Sequence, residues 1–235
     1  MESSKRKTFD IDVEFKERLG LTKQGMTKRM DKWAAEYDSD MAVIAYRNPE
    51  VVSQVVGEYF PTNREFVKIV DVASGTGLVG LELNKIGFKQ IDAVDPSSGM
   101  MKVAKSRNVY DKCYIEDRLD SSNTLKTNTY DCAVVVAGFS MGQLPTNALF
   151  ELIRIVKPGG FIFINMMESN LVRVEEFKDR LEPLFERFTN NGVWTIVDRE
   201  IKPPGDLLLI AQVLVSETTL TRLPSLLTFP DVSSN

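Results

Sequence analysis

A chain of 235 residues carrying 29 Lys and Arg against 33 Asp and Glu has a formal net charge of -4, which argues against the broad basic face that nucleic-acid binders present. With 43% hydrophobic and 26% charged residues it is a folded globular chain, not a disordered or fibrous one. It contains 0 histidines, which excludes Ser-His-Asp and Cys-His machinery, His-ligated zinc and any imidazole base.

Residues 1–8 are polar and include Lys5-Arg6-Lys7; they read as a disordered terminus without the apolar core of a signal peptide. From 9 to 60 the pattern is helical and polar, with breaks expected near Gly20, Gly25, Asp38–Asp40 and Pro49. After Phe60 short β-branched runs alternate with amphipathic segments. Val67–Ala73 is a strand that ends in a glycine-rich turn. Leu78–Ile86 is a helix stopped by Gly87. Gln90–Asp95 is the next strand, and Ser97 is placed to cap a helix reaching about Asn108, with Met100, Val103 and Ala104 on one face. Lys112–Glu116 is a short strand. Tyr130–Ala137 is the near-continuous apolar run of a central parallel strand. A helix follows at Asn147–Val156, then a sharp turn at Lys157-Pro158-Gly159-Gly160 into the strand Phe161–Asn165.

The last third differs. Glu175–Phe188 reads as a helix. Val193–Val197 and Leu207–Val215 follow with only a Pro203-Pro204-Gly205 loop between them. No crossover helix fits there, so the two runs pair as an antiparallel hairpin. The expected architecture is α/β: a Rossmann-like, doubly wound, mostly parallel seven-stranded sheet closed by that hairpin. An N-terminal helical lid spans 9–60, the main domain 61–217, and a tail 218–235. Cys113 and Cys132 lie in apolar runs and read as buried structural thiols of a cytoplasmic protein. No metal site, membrane-spanning segment or nucleic-acid partner is expected.

Gly75-Thr76-Gly77-Leu78-Val79-Gly80 follows a strand, opens a helix and precedes an acid, Asp95, at the end of the next strand. That is the context of a nucleotide-type cofactor loop. Asp71 bears on which cofactor. A dinucleotide-binding strand is apolar at this depth, and a buried carboxylate needs partners. S-adenosylmethionine is a net cation without a pyrophosphate, and it suits two carboxylates better than NAD does. Asp95 would accept from the ribose hydroxyls. Gly75 and Gly77 would let the backbone approach the methionine portion.

Val70-Asp71-Val72-Ala73-Ser74-Gly75-Thr76-Gly77 resembles the first motif of the class I S-adenosylmethionine-dependent methyltransferases. Asp95-Pro96-Ser97-Ser98-Gly99-Met100-Met101, Tyr130-Asp131 and Val156-Lys157-Pro158-Gly159-Gly160 resemble the later motifs of that class, in order. Trp33–Asp40, Tyr46-Arg47-Asn48-Pro49 and Gly142-Gln143-Leu144-Pro145 are similar to a methyltransferase-like branch of it. Ala73 departs from the pattern, standing where the first loop glycine is usual, and an alanine there is expected to need a negative φ. The resemblance implies Ala73 and Ser74 in the cofactor loop, Pro96 and Met100 beside adenine, and Glu116 or Asp117 (the latter preferred) accepting from the adenine amino group. It places the Ala137 and Gly138 carbonyls against the ammonium, Phe139 and Ser140 toward the reacting centre, and Tyr37 as a lid over the methionine end. Met100 also fits ordinary helix core, and Trp33 reads as a lid anchor.

The methyl acceptor is a small molecule or a protein side chain, and S-adenosylhomocysteine is the product. Asp38, Tyr46 and Glu168 are the candidate bases by rough placement. The Ala-Gly-Phe-Ser run at 137–140 lacks the Asn-Pro-Pro-Tyr signature of enzymes that methylate flipped bases. Phe139, Met141, Met166 and Met167 suggest an apolar wall, though the two later methionines also fit core. The alternatives are an NAD(P)-dependent oxidoreductase using Gly75 and Asp95, and a cofactor-binding protein that has lost catalysis.

Overall fold

The computed structural model describes residues 11–115, 119, 124–203 and 205–215. Seven strands make one sheet: β1 (Lys68–Val72), β2 (Gln90–Val94), β3 (Lys112–Tyr114), β4 (Tyr130–Val136), β5 (Val156–Met167), β6 (Trp194–Lys202) and β7 (Asp206–Val213). Their order is β3-β2-β1-β4-β5-β7-β6. β1 to β5 pair in parallel, and β7 runs antiparallel to both β5 and β6. Chain direction across the sheet reverses between β1 and β4, so the carboxyl ends of these two strands open onto one crevice, where ligands of such sheets bind.

The helices are α1 (Ile11–Arg18), α2 (Lys23–Trp33), α3 (Tyr37–Val43), α4 (Asn48–Tyr59), α5 (Leu78–Lys85), α6 (Ser98–Ser106), α7 (Ala148–Ile155), α8 (Asn170–Arg173) and α9 (Leu181–Asn190). The period of two along the strands sorts side chains onto two cores. Val70, Val72, Val135, Ile162 and Ile164 face Leu152 and Ile153 of α7 and Phe185 and Phe188 of α9. Ile69, Ile91, Val134 and Phe163 face Val52 and Val56 of α4 and Val79 and Leu83 of α5.

The boundary expected near residue 60 therefore does not separate lid from domain, because α4 is part of the layer that covers the sheet. Arg64 fixes it there: its guanidinium donates to the carbonyls of Phe60 (2.8 Å), Gly57 (2.8 Å) and Ile86 (2.9 Å), joining α4 to the end of α5. Only α1 to α3 lie outside that layer. Among the breaks expected there, Gly20 stands between α1 and α2 at φ +74°. Gly25 sits within α2, and its N–H donates to the capping Thr22 hydroxyl at 3.0 Å. Asp38 and Asp40 open α3, and Pro49 begins α4, where its missing N–H costs nothing.

Two further elements differ from expectation. The helix expected from Glu175 begins at Leu181, because Pro183 is tolerated only in a first turn and Asp179 is left-handed at φ +55°. Residues 157–160 are a bulge inside a long β5: Tyr130 pairs with Val156, and the next pair is Cys132 with Phe161. A Cβ on Gly160 would stand 2.6 Å from the Asp131 carbonyl, so the strand passes close to β4 there. Met101 is buried beside Met100 and Ala104, and Val103 is only half-buried. Cys132 is buried but Cys113 is half-buried. Residues 1–8 and 218–235 lie outside the described residues. No described helix is long and apolar enough to cross a membrane.

Candidate active site

Asp95 organises the glycine loop. Its Oδ2 accepts from the Gly75 N–H and its Oδ1 from the Ser97 N–H, both at 2.8 Å. The Ser74 N–H reaches the Val94 carbonyl at 3.1 Å, so the loop is laid across the ends of β1 and β2. Gly75 has φ +54°, and a Cβ there would meet nothing within 4 Å; the loop leaves open space on this side. Ser74 Oγ is buried with no hydrogen-bond partner in the protein. An open backbone face and an orphaned hydroxyl on one loop, beside a carboxylate, fit a ligand rich in hydroxyls.

Ala73 has φ +56° and Ala137, at the end of β4, also +56°. The expectation of a negative φ at Ala73 is overturned. Two alanines at the ends of adjacent strands hold the left-handed conformation, at a cost of about 1 kcal/mol each. The Ala73 methyl packs toward Gly138, where a Cβ would lie 3.0 Å from it.

Asp71 is satisfied differently from what its sequence position suggests. It is 1% exposed, and its Oδ2 accepts the Tyr110 O–H at 2.6 Å. Tyr110 Oη in turn accepts the Gly80 N–H at 3.2 Å. The phenol explains two glycines. A Cβ on Gly80 would meet the Tyr110 ring at 2.3 Å, and one on Gly77, which has φ +88°, would meet it at 2.9 Å. Gly77 thus serves the turn and the Tyr110 and Ala104 packing, whereas the open face belongs to Gly75.

Burial raises the Asp71 pKa from 3.8 to about 7; the Tyr110 hydrogen bond lowers it, the Asp95 charge raises it, and the Gly80 N–H lowers it. The folded state therefore holds a proton here that the unfolded chain has already released. The stability this group contributes is complete below the unfolded value and is lost as pH rises through about 7. Asp71→Asn is expected to flatten the fall in stability between about pH 4 and pH 8, read by urea unfolding. A variant whose stability falls as steeply as that of the unmodified protein would contradict this assignment.

The lid is fastened to the cofactor loops by two acids. Asp31 of α2 accepts from Ser97 Oγ (2.6 Å), the Gly99 N–H (2.8 Å) and Ser98 Oγ (3.3 Å), so it caps the start of α6 from outside. A Cβ on Gly99 would lie 2.6 Å from the Asp31 carbonyl. Asp38 accepts from Thr76 Oγ1 at 2.6 Å and pairs with Arg107, whose Nε donates to the Thr76 carbonyl at 2.6 Å. This geometry makes Asp38 a clamp on the loop. Trp33 donates through Nε1 to Asp40 at 2.7 Å and stacks edge-on with Tyr37 at 4.8 Å.

A cavity of about 500 Å³ opens between lid and sheet. Tyr37, Tyr46 and Ala137 line it, as do Ser140, Met141 and Met167. Phe139 does not: it is buried in the core against Phe177, as is Met166. The Gly138 carbonyl already accepts the Ser140 (3.0 Å) and Leu144 (3.1 Å) N–H groups, whereas Ala137 lines the cavity. Met100 is fully buried in α6 and Pro96 is half-buried beside it. Glu168 is exposed and its N–H donates to the Gly205 carbonyl; it is not in the cavity wall. Glu116 and Asp117 lie outside the described residues. Burial pushes the Tyr46 phenol well above its usual 10.0, and Tyr37, Asp206 and Asp71 reinforce this. Asp206, also in the wall, was not singled out from the sequence. Its one signal is an acid at the first residue of a strand after a Pro-Pro-Gly turn.

Residues 70–164 match the model of a methyltransferase domain. Methyltransferase-like protein 27 of Homo sapiens is 34% identical over 166 residues, 70% of this chain and 66% of that protein. The chain belongs to the S-adenosylmethionine-dependent methyltransferases. A second relative, the demethylmenaquinone methyltransferase of Corynebacterium kroppenstedtii, is 37% identical over 107 residues, 46% of this chain and 44% of that one. The aligned parts thus span about two thirds of the human relative and less than half of the bacterial one. Among solved structures, a methyltransferase chain from a complex with the Haloferax volcanii Trm112 methyltransferase activator superposes with a TM-score of 0.58 at 16% identity. It covers 79% of this chain and 98% of that one, and it shows the fold. The methyltransferase-domain match begins at Val70 and ends at Ile164. It therefore contains the glycine loop, Asp95 and Ala137 but neither the lid nor Asp206.

Proposed function

We propose that the protein is an S-adenosylmethionine-dependent methyltransferase whose acceptor enters the cavity between α2–α4, the carboxyl ends of β4 and β5 and the amino end of β7. The observation that carries this reading is the loop itself: Gly75 facing open space, Ser74 Oγ unpartnered, and Asp95 holding the loop amides. Asp95 accepts from the ribose hydroxyls and Ala137 from the ammonium. Pro96 borders the adenine, with Met100 in the core of α6 behind it, and Glu116 or Asp117 is the acceptor for the adenine amino group. Tyr37, held against Trp33, covers the methionine end. When bound, S-adenosylmethionine supplies an electrophilic methyl carbon and leaves as S-adenosylhomocysteine. The chain's part is alignment of the acceptor and exclusion of water, which is where most of the acceleration of a displacement at carbon arises.

The dinucleotide alternative is disfavoured by charge. Asp95 lies at the loop, and Arg107 beside it is paired with Asp38. The bacterial relatives are named for demethylmenaquinone, which favours a small molecule over a protein side chain as acceptor. Incubation with methyl-labelled S-adenosylmethionine and an acceptor panel is expected to move label onto an apolar small molecule. Saturable cofactor binding with no transfer to any acceptor would instead favour a protein that keeps the fold and has lost catalysis.

A further inference from the structure

Asp206 is the first residue of β7, where it pairs with Met167 of β5 and Lys202 of β6. Ala137 ends β4, two strand positions away, so its backbone and that of Asp206 are separated by about 10 Å across the sheet. The glycine loop after β1 is one strand further. The cavity wall spans this interval with Met141, Met167 and Pro203, and with Met30, Trp33 and Met41 from the lid. It is an apolar slot with a carboxylate at the end away from the cofactor loop.

That carboxylate is held in place. The Asn48 amide donates to Asp206, and Asn48 Nδ2 also donates to Asn165 Oδ1 at 3.0 Å. Asn165 is buried, and its own Nδ2 reaches the Leu207 carbonyl at 3.4 Å. Two buried or half-buried amides arranged around an acid is more than a solvated strand end needs, since buried polar groups cost stability unless each is bonded. The other titratable or charged groups in the wall are Arg18 of α1, Tyr37 of α3, and Tyr46 and Arg47 before α4. Arg47 is paired with Glu50 at 2.8 Å, and Arg18 donates to Ser140 Oγ at 3.4 Å. Asp206 is thus the one carboxylate in the described wall. Burial raises its pKa while the Asn48 bond lowers it.

We propose that the acceptor is a largely apolar small molecule bearing a hydroxyl group that donates to Asp206, which seats the acceptor across the slot with its opposite end toward the cofactor loop. This rests on the methyltransferase reading above. The hydroxyl anchors the acceptor and keeps its proton; the atom that takes the methyl group stands at the other end of the slot. Asn48 is a positioning residue that acts through Asp206.

The test uses 2-naphthol and its methyl ether, 2-methoxynaphthalene, as probes. Their binding is measured by equilibrium dialysis to protein saturated with S-adenosylhomocysteine. 2-Naphthol is expected to bind about tenfold more tightly than the ether, the worth of one hydrogen bond to a charged acceptor. Asp206→Asn, an isosteric change, is expected to reduce that preference to about threefold or less, and Asn48→Ala to weaken it in the same direction. S-adenosylhomocysteine affinity stays within about twofold in both variants, because the cofactor loop lies three strands from Asp206. Equal binding of the two probes, no saturable binding of 2-naphthol, or a preference unchanged in Asp206→Asn would each overturn the proposal. If S-adenosylhomocysteine itself fails to bind, it is the methyltransferase reading that has failed.

Discussion

Gly80→Ala is expected to destabilise the protein by about 3 kcal/mol or more, lowering the melting temperature by roughly 6–12 °C. A Cβ at this position would stand 2.3–2.5 Å from two ring carbons and the hydroxyl oxygen of Tyr110, so the ring must move. Its movement breaks the 2.6 Å bond to Asp71 and leaves a buried carboxyl with its chief donor gone, a loss that adds to the overpacking cost. In a nucleotide-type loop the third glycine ordinarily serves the close packing of the helix on the strand, and the earlier ones serve the ligand. Here the third packs against a tyrosine. Packing and ligand roles separate in the double variant Gly80→Ala, Tyr110→Leu, which is expected to be more stable than Gly80→Ala alone. Guanidinium unfolding of the three proteins checks it. A Gly80→Ala protein within about 1 kcal/mol of the unmodified one, but unable to bind cofactor, would assign the glycine to the ligand.

Loss of the lid clamps is expected to act on binding more than on folding. Asp38 and Asp31 each bridge the lid to a loop that shapes the cofactor site, yet both are partly solvated, so their pairing contributes modestly to global stability. Asp38→Ala frees Thr76 and Arg107 together and lets Tyr37 leave the cavity. S-adenosylhomocysteine affinity is expected to fall about tenfold, mostly through faster dissociation, as the fraction of molecules with a closed lid falls. Asp31→Ala is expected to give a smaller loss of the same kind. Stopped-flow dissociation and amide exchange in α2 and α3 report the two effects. Unchanged dissociation with faster exchange would mean that the lid covers the acceptor alone.

The sheet was legible because its signals are local. The near-continuous apolar run at 130–136 reads as a strand covered on both faces. The connection between Lys202 and Asp206 is too short for a crossover, and the hairpin follows. The glycine loop and Asp95 were legible for the same reason, since strand, turn, helix and acid follow one another in the chain. What escaped depends on approach between distant segments. Tyr110 is 39 residues from Asp71, and nothing in Val109-Tyr110-Asp111 marks it as the partner of a buried acid. Asp31 meets Gly99 across 68 positions, so its sequence context is that of any polar helix. The left-handed Ala73 and Ala137 are invisible for a different reason: alanine carries no signature of positive φ, and only the surrounding packing forces it. Glu168 and Asp206 show the limit most plainly. They sit beside each other at the adjoining ends of β5 and β7, and which of them faces the cavity is set by the pairing of Met167 with Asp206, which no spacing in the sequence reveals.

Calorimetric titration with S-adenosylmethionine, S-adenosylhomocysteine and NAD, beside Asp95→Ala, tests the cofactor assignment most directly. Both adenosyl ligands are expected to bind saturably and NAD not at all. Asp95→Ala should weaken the adenosyl ligands by about a hundredfold, because it removes the ribose acceptor and releases the Gly75 amide at once. Binding of NAD in preference to both, or adenosyl binding that Asp95→Ala leaves intact, would contradict the assignment.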